Sequence, residues 1–152
     1  MRKIVLLAAV IAMAAPALAQ RNRQPEVAPE VLKAMQIHEV AAPMDRVFPA
    51  VVSAVTDKNY TVESANKDAG LITATENTKS KMGGLGLTTK QNTIKLSITV
   101  GPAGEGKTRI RVNAIDNYVY TYHGKKYRDE NQPVTMEAVY KDLFAAIDAA
   151  LT

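Results

Sequence analysis

The sequence predicts an α+β fold: a two-layer sandwich in which a mostly antiparallel sheet of four to five strands carries two helices on one face. Three observations predict it. Ile94, Leu96, Ile98 and Val100 alternate with Lys95, Ser97 and Thr99, and after a Gly- and Pro-rich break Ile110, Val112 and Ala114 alternate with Arg109, Arg111 and Asn113. Period-two alternation marks a strand with one buried and one wet face. Two other stretches, around Val47–Val55 and Met136–Leu151, repeat apolar residues at spacings of three and four, the stripe of an amphipathic helix. Two such helices cover only one face of a small sheet, so the other face stays polar.

The elements follow in chain order. Met1-Arg2-Lys3 is basic, Ile4 to Ala15 is an unbroken apolar run, and Pro16 precedes the small-residue site Ala17-Leu18-Ala19. This reads as a secretory signal peptide over residues 1–19, cut before Gln20. The run is shorter than a membrane span requires, and an uncleaved N-terminal anchor is the alternative. No twin arginine is present, which favours the general secretion route. The expected location is the periplasm, without a transmembrane segment after cleavage. Residues 20–34 read as a flexible leader, polar at first and carrying two prolines. Residues 35–152 read as a single domain.

Met35–Val40 is a candidate first strand. A helix follows with Pro43 and Asp45 as start signals, Asp45 as N-cap, and a stripe of Val47, Phe48, Val51, Val52 and Val55. Pro49 is tolerable only near the first turn, because an interior proline lacks a donor and crowds the preceding turn. Lys58-Asn59 ends the helix, Asn being suited to a left-handed residue. Tyr60–Ser64 and Leu71–Glu76 read as a hairpin about the turn Asn66–Gly70. Residues 77–90 read as an irregular loop containing Gly83, Gly84 and Gly86. Gly101–Gly106 reads as the next hairpin loop. A slip in alternation at Ala114-Ile115 suggests a β-bulge, with the strand continuing through Tyr118–Tyr122. His123-Gly124 reads as a turn and Lys125–Gln132 as a polar loop. A final helix carries Met136, Val139, Tyr140, Leu143, Phe144, Ile147 and Leu151, with Thr135 or Asn131 as cap and Glu137–Lys141 as an i,i+4 pair.

Of the 152 residues, 47% are hydrophobic and 22% charged, with a formal net charge of +4. Loss of Arg2 and Lys3 with the signal peptide lowers that to +2. No long basic block remains, so nucleic acid is not an expected partner. There is no Cys, which excludes a disulfide scaffold, a thiolate metal site, a cysteine nucleophile and a lipid anchor on an N-terminal Cys.

The stretch MDRVFPAVVSAVTDKNYTVESANKDAGLITATE and the tail VYKDLFAAIDAAL carry the patterns VF-x-AVVSAV, NY-x-V, D-x-G-LITA and Y-x-x-LF. Over residues 35–151 this resembles a broad group of small exported bacterial domains that includes the helix-grip domains of the outer-membrane assembly lipoprotein BamC. The resemblance implies an antiparallel sheet gripped by helices and a binding or assembly role without catalysis. Those lipoproteins carry a lipidated Cys that this chain lacks, so membrane anchoring does not transfer, and neither do functional residues.

Catalytic chemistries find little footing. Ser53, Ser64, Ser80 and Ser97 stand in no nucleophile-elbow pattern with His38 or His123. His38 and Glu39 are adjacent, so in a strand they point to opposite faces and make a poor metal pair. Asp116, Asp129 and Glu130 lie near the tyrosine-rich segment, which keeps a minor carboxylate-based hydrolase as one alternative. The Gly83-Gly84-Leu85-Gly86 run lacks the phosphate-loop pattern. It reads as a mobile contact loop in which Met82 and Leu85 could touch a partner or, peripherally, a lipid surface.

The tyrosines are the most pointed feature. Tyr118, Tyr120 and Tyr122 recur at period two and share one strand face, with Tyr127, Lys125 and Arg128 close by. Such a stripe either recognises a peptide, glycan or protein surface or packs under the last helix as core. The expected function is a non-enzymatic periplasmic binding or envelope-assembly accessory domain, without a cofactor. The alternative of another class is a small apolar-ligand carrier with a cavity between sheet and helices.

Overall fold

The computed structural model describes residues 26–82 and 88–152. The signal-peptide segment and Leu85 lie outside these residues. The elements are α1 (Pro29–Met35), β1 (Ile37–Val40), α2 (Met44–Asp57), β2 (Thr61–Asn66), β3 (Leu71–Met82), β4 (Thr88–Gly104), β5 (Lys107–Tyr122), β6 (Lys125–Pro133) and α3 (Glu137–Leu151). The predicted α+β layering is what forms, enlarged by one short helix and one strand.

Every strand pair is antiparallel. The sheet runs β1-β5-β4-β3-β2, and β6 also pairs with β5. Strands β1 and β6 share the same edge of β5 at different heights: β1 pairs with Thr108–Arg111 and β6 with Ile115–Tyr122.

The core forms where helix stripes meet alternating strand residues. Val47, Val51 and Val55 of α2 and Tyr140, Leu143 and Ile147 of α3 face Ile72, Ala74, Leu96, Ile98, Ile110 and Val112. All of these are at most 3% exposed. Each large aliphatic side chain buried there contributes about 1.5–3 kcal/mol. On the reverse side Lys95, Ser97, Thr99, Arg109 and Arg111 are exposed, as the alternation requires.

Element lengths then decide the shape. At about 3.3 Å per residue, β4 and β5 each run for roughly 50 Å, whereas α2 and α3 rise about 20 Å at 1.5 Å per residue. The helices therefore cover one end of the sheet only. Beyond Ala74, Leu96 and Ala114 no described side chain on the helix side is fully buried core, Ile94 packing only partly buried against it, and β3, β4, β5 and β6 continue as an overhang.

Several local expectations are corrected. Residues 29–35 are not leader or strand but helix α1, with Pro29 at its start and Leu32 and Met35 packed on the core. Asp45 is not the N-cap of α2: Pro43 is, and the exposed Asp45 sits in the first turn paired with Lys67 at 2.8 Å. Pro49 lies within the helix rather than at its entrance, where the Asp45 carbonyl loses its intrahelical donor. Asn59 takes the left-handed conformation, φ 64°, as its position after the helix suggests. In the 66–70 turn the Ala69 amide donates to Asn66 Oδ1 at 2.9 Å, and Gly70 adopts φ 64°.

The irregular loop expected over 77–90 is largely strand. Asn77–Met82 pairs with Thr88–Thr93 in an unbroken register, and only residues 83–87 lie outside the description. Its polar residues alternate without an apolar face because both sides of the overhang lie beyond the helices. The hairpin after β4 tightens to Glu105-Gly106, with Gly101–Gly104 inside the strand and a register shift at Pro102/Gly104. Register between β4 and β5 runs straight through Ala114-Ile115; the irregularity lies on the β6 side, between Asp116 and Tyr118. There Asn131 takes φ 59° and its amide donates to Asn117 Oδ1 at 2.9 Å. The polar segment Lys125–Gln132 is strand β6, joined to β5 through His123-Gly124 with φ 46° and 75°, the positive pair of a tight hairpin turn. Met136 caps α3 and is 48% exposed, so it stands outside the helix stripe that was expected to include it.

Candidate functional site

The overhang brings the tyrosines together. Residues 108, 110, 112 and 114 of β5 face the helices, and the same parity carries Tyr118, Tyr120 and Tyr122 onto the helix side of the sheet. Cross-strand register places Asn92 and Asp129 beside Tyr118, Lys90 and Tyr127 beside Tyr120, and Thr88 and Lys125 beside Tyr122. The rings form a chain. Tyr118 and Tyr120 lie 5.7 Å apart at 44°, Tyr120 and Tyr127 stack at 4.7 Å and 9°, and His123 meets Tyr122 edge-on at 4.3 Å. The Lys90 ammonium sits 4.8 Å from the centroid of Tyr118.

The stripe is on the helix side but not under α3, which points away from it. None of the four rings belongs to the core; Tyr122 is 52% and Tyr127 42% exposed. Because Tyr120 and Tyr127 face each other across neighbouring strands, the rings stand up from the sheet as a ridge. Tyr120 and Tyr127 each give one face to the other, and Lys90 takes one face of Tyr118.

Other expected members divide between the two sides. Lys125 shares the tyrosine side, opposite Tyr122. Arg128 does not: it pairs in register with Val119 and binds Glu130 at 3.3 Å on the open side of the sheet. Met82 ends β3 opposite Thr88, at the height of Tyr122, while Leu85 lies outside the described residues. The sequence reading leaves Lys90 in the 77–90 loop; only strand register places it beside Tyr120.

At the foot of the ridge the chemistry turns buried and polar. Burial pushes the Tyr60 phenol up to about 12, helped by the negative charge of Glu76. Burial also raises Tyr140, opposed by hydrogen bonds from Gln36 and the Ala114 backbone. The Tyr140 hydroxyl donates to the Val134 carbonyl at 2.7 Å. Asn92 Oδ1 is buried and, among the described residues, has no hydrogen-bond partner.

Asp116 belongs to the tyrosine side, whereas Glu130 is engaged by Arg128 on the opposite side. Those two cannot flank one scissile bond. Among the described residues no group of three or more His, Asp and Glu side chains is placed to hold a metal. His38 and Glu39 do point apart: His38 stacks on Phe144 at 4.8 Å and reaches Asp148 at 2.8 Å, while Glu39 binds Arg109 at 2.8 Å.

Two shallow recesses stand out among the described residues. One, about 370 Å³, lies at the end of α3 among His38, Arg46, Asp148 and Leu151. The other, about 590 Å³, runs between α2 and α3 along Pro49, Ser53 and Ala146. Neither enters the sheet–helix interface, the place of a cavity in the alternative carrier reading; the side chains that meet there form the buried core.

The fold and site define a sheet–helix domain with a tyrosine ridge on an uncovered sheet extension. No family model and no curated protein matches the sequence. Among solved structures, it is similar to a TBP-like protein from Parabacteroides distasonis ATCC 8503, at 15% identity over 76% of this chain and 90% of that one, TM-score 0.46. It is also similar to a DUF4468 family protein from Bacteroides ovatus ATCC 8483, at 11% identity over 76% and 84% of the two chains, TM-score 0.45.

Proposed function

We propose that this protein is a non-enzymatic binding domain of the periplasm, and that its tyrosine ridge docks a protein or peptide of the cell envelope. The observation that carries the reading is the set of ring contacts Tyr118–Tyr120–Tyr127, with Tyr127 and Tyr122 half exposed on a sheet extension beyond the helices. Tyrosine presents large, stiff contact area with a polar tip, and it recurs at the energetic centres of interfaces. Export rests on the basic n-region, apolar run and Ala17-Leu18-Ala19 site of the sequence.

A peptide or protein fits better than a glycan. Sugars stack on open ring faces, and here the facing sides of Tyr120 and Tyr127 are taken by each other and Tyr118 carries Lys90 on one face. Ring edges and phenol hydroxyls suit hydrogen bonding to a partner's backbone and packing against its side chains.

The test is site-specific photocrosslinking in exporting cells. A crosslinker at Tyr122 is expected to trap a discrete partner, whereas one at Lys141 on the outer side of α3 is not. Tyr120→Ala is expected to abolish the adduct while the unfolding transition stays cooperative. Equal adducts at both positions, or none at Tyr122, would end the reading. A glycan partner would appear instead as Tyr120-dependent retention on immobilised cell-wall polysaccharide.

A further inference from the structure

The opposite side of the sheet has a different character. Between Glu26 and Thr152 basic and acidic residues are equal in number. They are nonetheless sorted. Lys79, Lys95, Lys107, Arg111 and Lys126 all project from the uncovered side and are exposed. Among the described residues none of the five makes an ion pair. Of the acids on that side, Glu39 is paired with Arg109 and Glu130 with Arg128, while Glu63 accepts from the Thr75 hydroxyl at 3.1 Å. Between the cations stand Thr73, Asn77, Gln91, Thr93, Ser97 and Thr99, all short or neutral hydrogen-bonding side chains.

We propose that this open face is an electrostatic docking surface for an anionic phospholipid bilayer. Charge complementarity carries the argument. Five unpaired cations held in one surface by a rigid sheet meet a plane of headgroup phosphates at once, and each lysine or arginine near such a plane adds to binding. A protein partner fits less well. Interfaces between proteins are anchored by aromatic side chains, and all six tyrosines and both phenylalanines of this chain lie on the helix side. The exposed apolar residues here, Leu71 and Ile37, flank Thr99 and Arg111 in the row Asn66–Leu71–Thr99–Arg111–Ile37, where they can dip among headgroups. Through Lys79, part of the 77–90 segment lies on this face. Docked this way, the molecule turns its helices and tyrosine ridge away from the bilayer, so both surfaces can be used together.

The experiment is sedimentation of the processed chain, beginning at Gln20, with vesicles of phosphatidylcholine alone or mixed equally with phosphatidylglycerol. Binding is expected only to the mixed vesicles and is expected to fall as salt rises. Neutralising two central charges in Lys95→Gln/Arg111→Gln is expected to weaken partitioning on the order of twentyfold, at about fivefold per charge. If that variant unfolds, Lys79→Gln/Lys126→Gln on the overhang, remote from the core, replaces it with the same expectation. Tyr120→Ala should bind vesicles normally, which separates this face from the ridge. Equal binding to both vesicle types, no binding to either, or unchanged binding by the folded charge variants overturns the proposal. Retention on heparin without vesicle binding also overturns it, in favour of a soluble polyanion.

Discussion

Tyr120 lies nearly parallel to Tyr127, ring centroids 4.7 Å apart and planes 9° from parallel, across the β5–β6 ladder. The pair closes a hairpin whose strands have no core beneath them. Aromatic cross-strand pairs supply stability where burial does not. A double-mutant cycle of Tyr120→Ala and Tyr127→Ala, read by urea unfolding, is expected to show a coupling of about 0.5–1.5 kcal/mol. Additive losses would mean that the rings do not support each other.

Gly70 joins the β2–β3 turn to the core. It sits at φ 64°, its carbonyl accepts from the Val100 amide at 2.8 Å, and an added Cβ would overlap the Val100 carbonyl oxygen. Gly70→Ala therefore meets both a strained backbone region and a backbone neighbour. The expected loss is about 2 kcal/mol or more, seen as a lowered urea midpoint. Gly106→Ala is the comparison. Its φ is also 64° but nothing lies within 4 Å of the added carbon, so only the conformational part of the loss should appear.

Tyr140 is 1% exposed and its hydroxyl donates to Val134 O at 2.7 Å. That bond ties the start of α3 to the segment leaving β6. Tyr140→Phe keeps the ring and orphans a carbonyl, and is expected to cost about 1 kcal/mol. Tyr140→Ala also empties the space and is expected to cost about 3–5 kcal/mol by the same measurement.

Tyr60 makes stability fall at high pH. Its phenol holds its proton up to about 12 in the fold against 10.0 as the reference value, through burial and the Glu76 charge. Between these values the unfolded chain has released a proton that the folded chain keeps. Stability from this group is thus full below the lower value and is lost as pH rises through the upper one. Tyr60→Phe is expected to flatten the decline measured by urea unfolding across that window.

The His38–Asp148 pair should matter less than its 2.8 Å separation suggests. Its side chains are 27% and 52% exposed, and polar contacts this open to solvent are screened by water. Asp148→Ala is expected to cost no more than about 1 kcal/mol. His38→Ala should cost more, because it also removes the ring stacked on Phe144 at 4.8 Å. Thermal unfolding of the two variants compares them directly.

Legibility in the sequence followed burial. Ile94–Val100 and Ile110–Ala114 alternate because one side of each strand meets helices, and the stripes of α2 and α3 repeat because they meet that side. Lys125–Pro133 shows no such period. Its strand exists because β5 extends beyond the helices with an open edge that β6 satisfies by backbone hydrogen bonds, and backbone pairing leaves no mark on side-chain hydropathy. The same holds for Asn77–Met82. The site was half legible: the period-two spacing put Tyr118, Tyr120 and Tyr122 on one face, but Arg128 sits across the sheet and Lys90 entered only through register.

The sequence by itself determined which residues face inward, where turns fall at Asn59, Gly70 and His123-Gly124, and that one sheet face stays wet. Such properties depend on side-chain chemistry and on conformations open to Gly and Asn. Only the tertiary structure decided that the tyrosines are surface rather than core. That outcome depends on strands of sixteen and seventeen residues outrunning helices of fourteen and fifteen, a mismatch of rise per residue that appears once the layers are stacked.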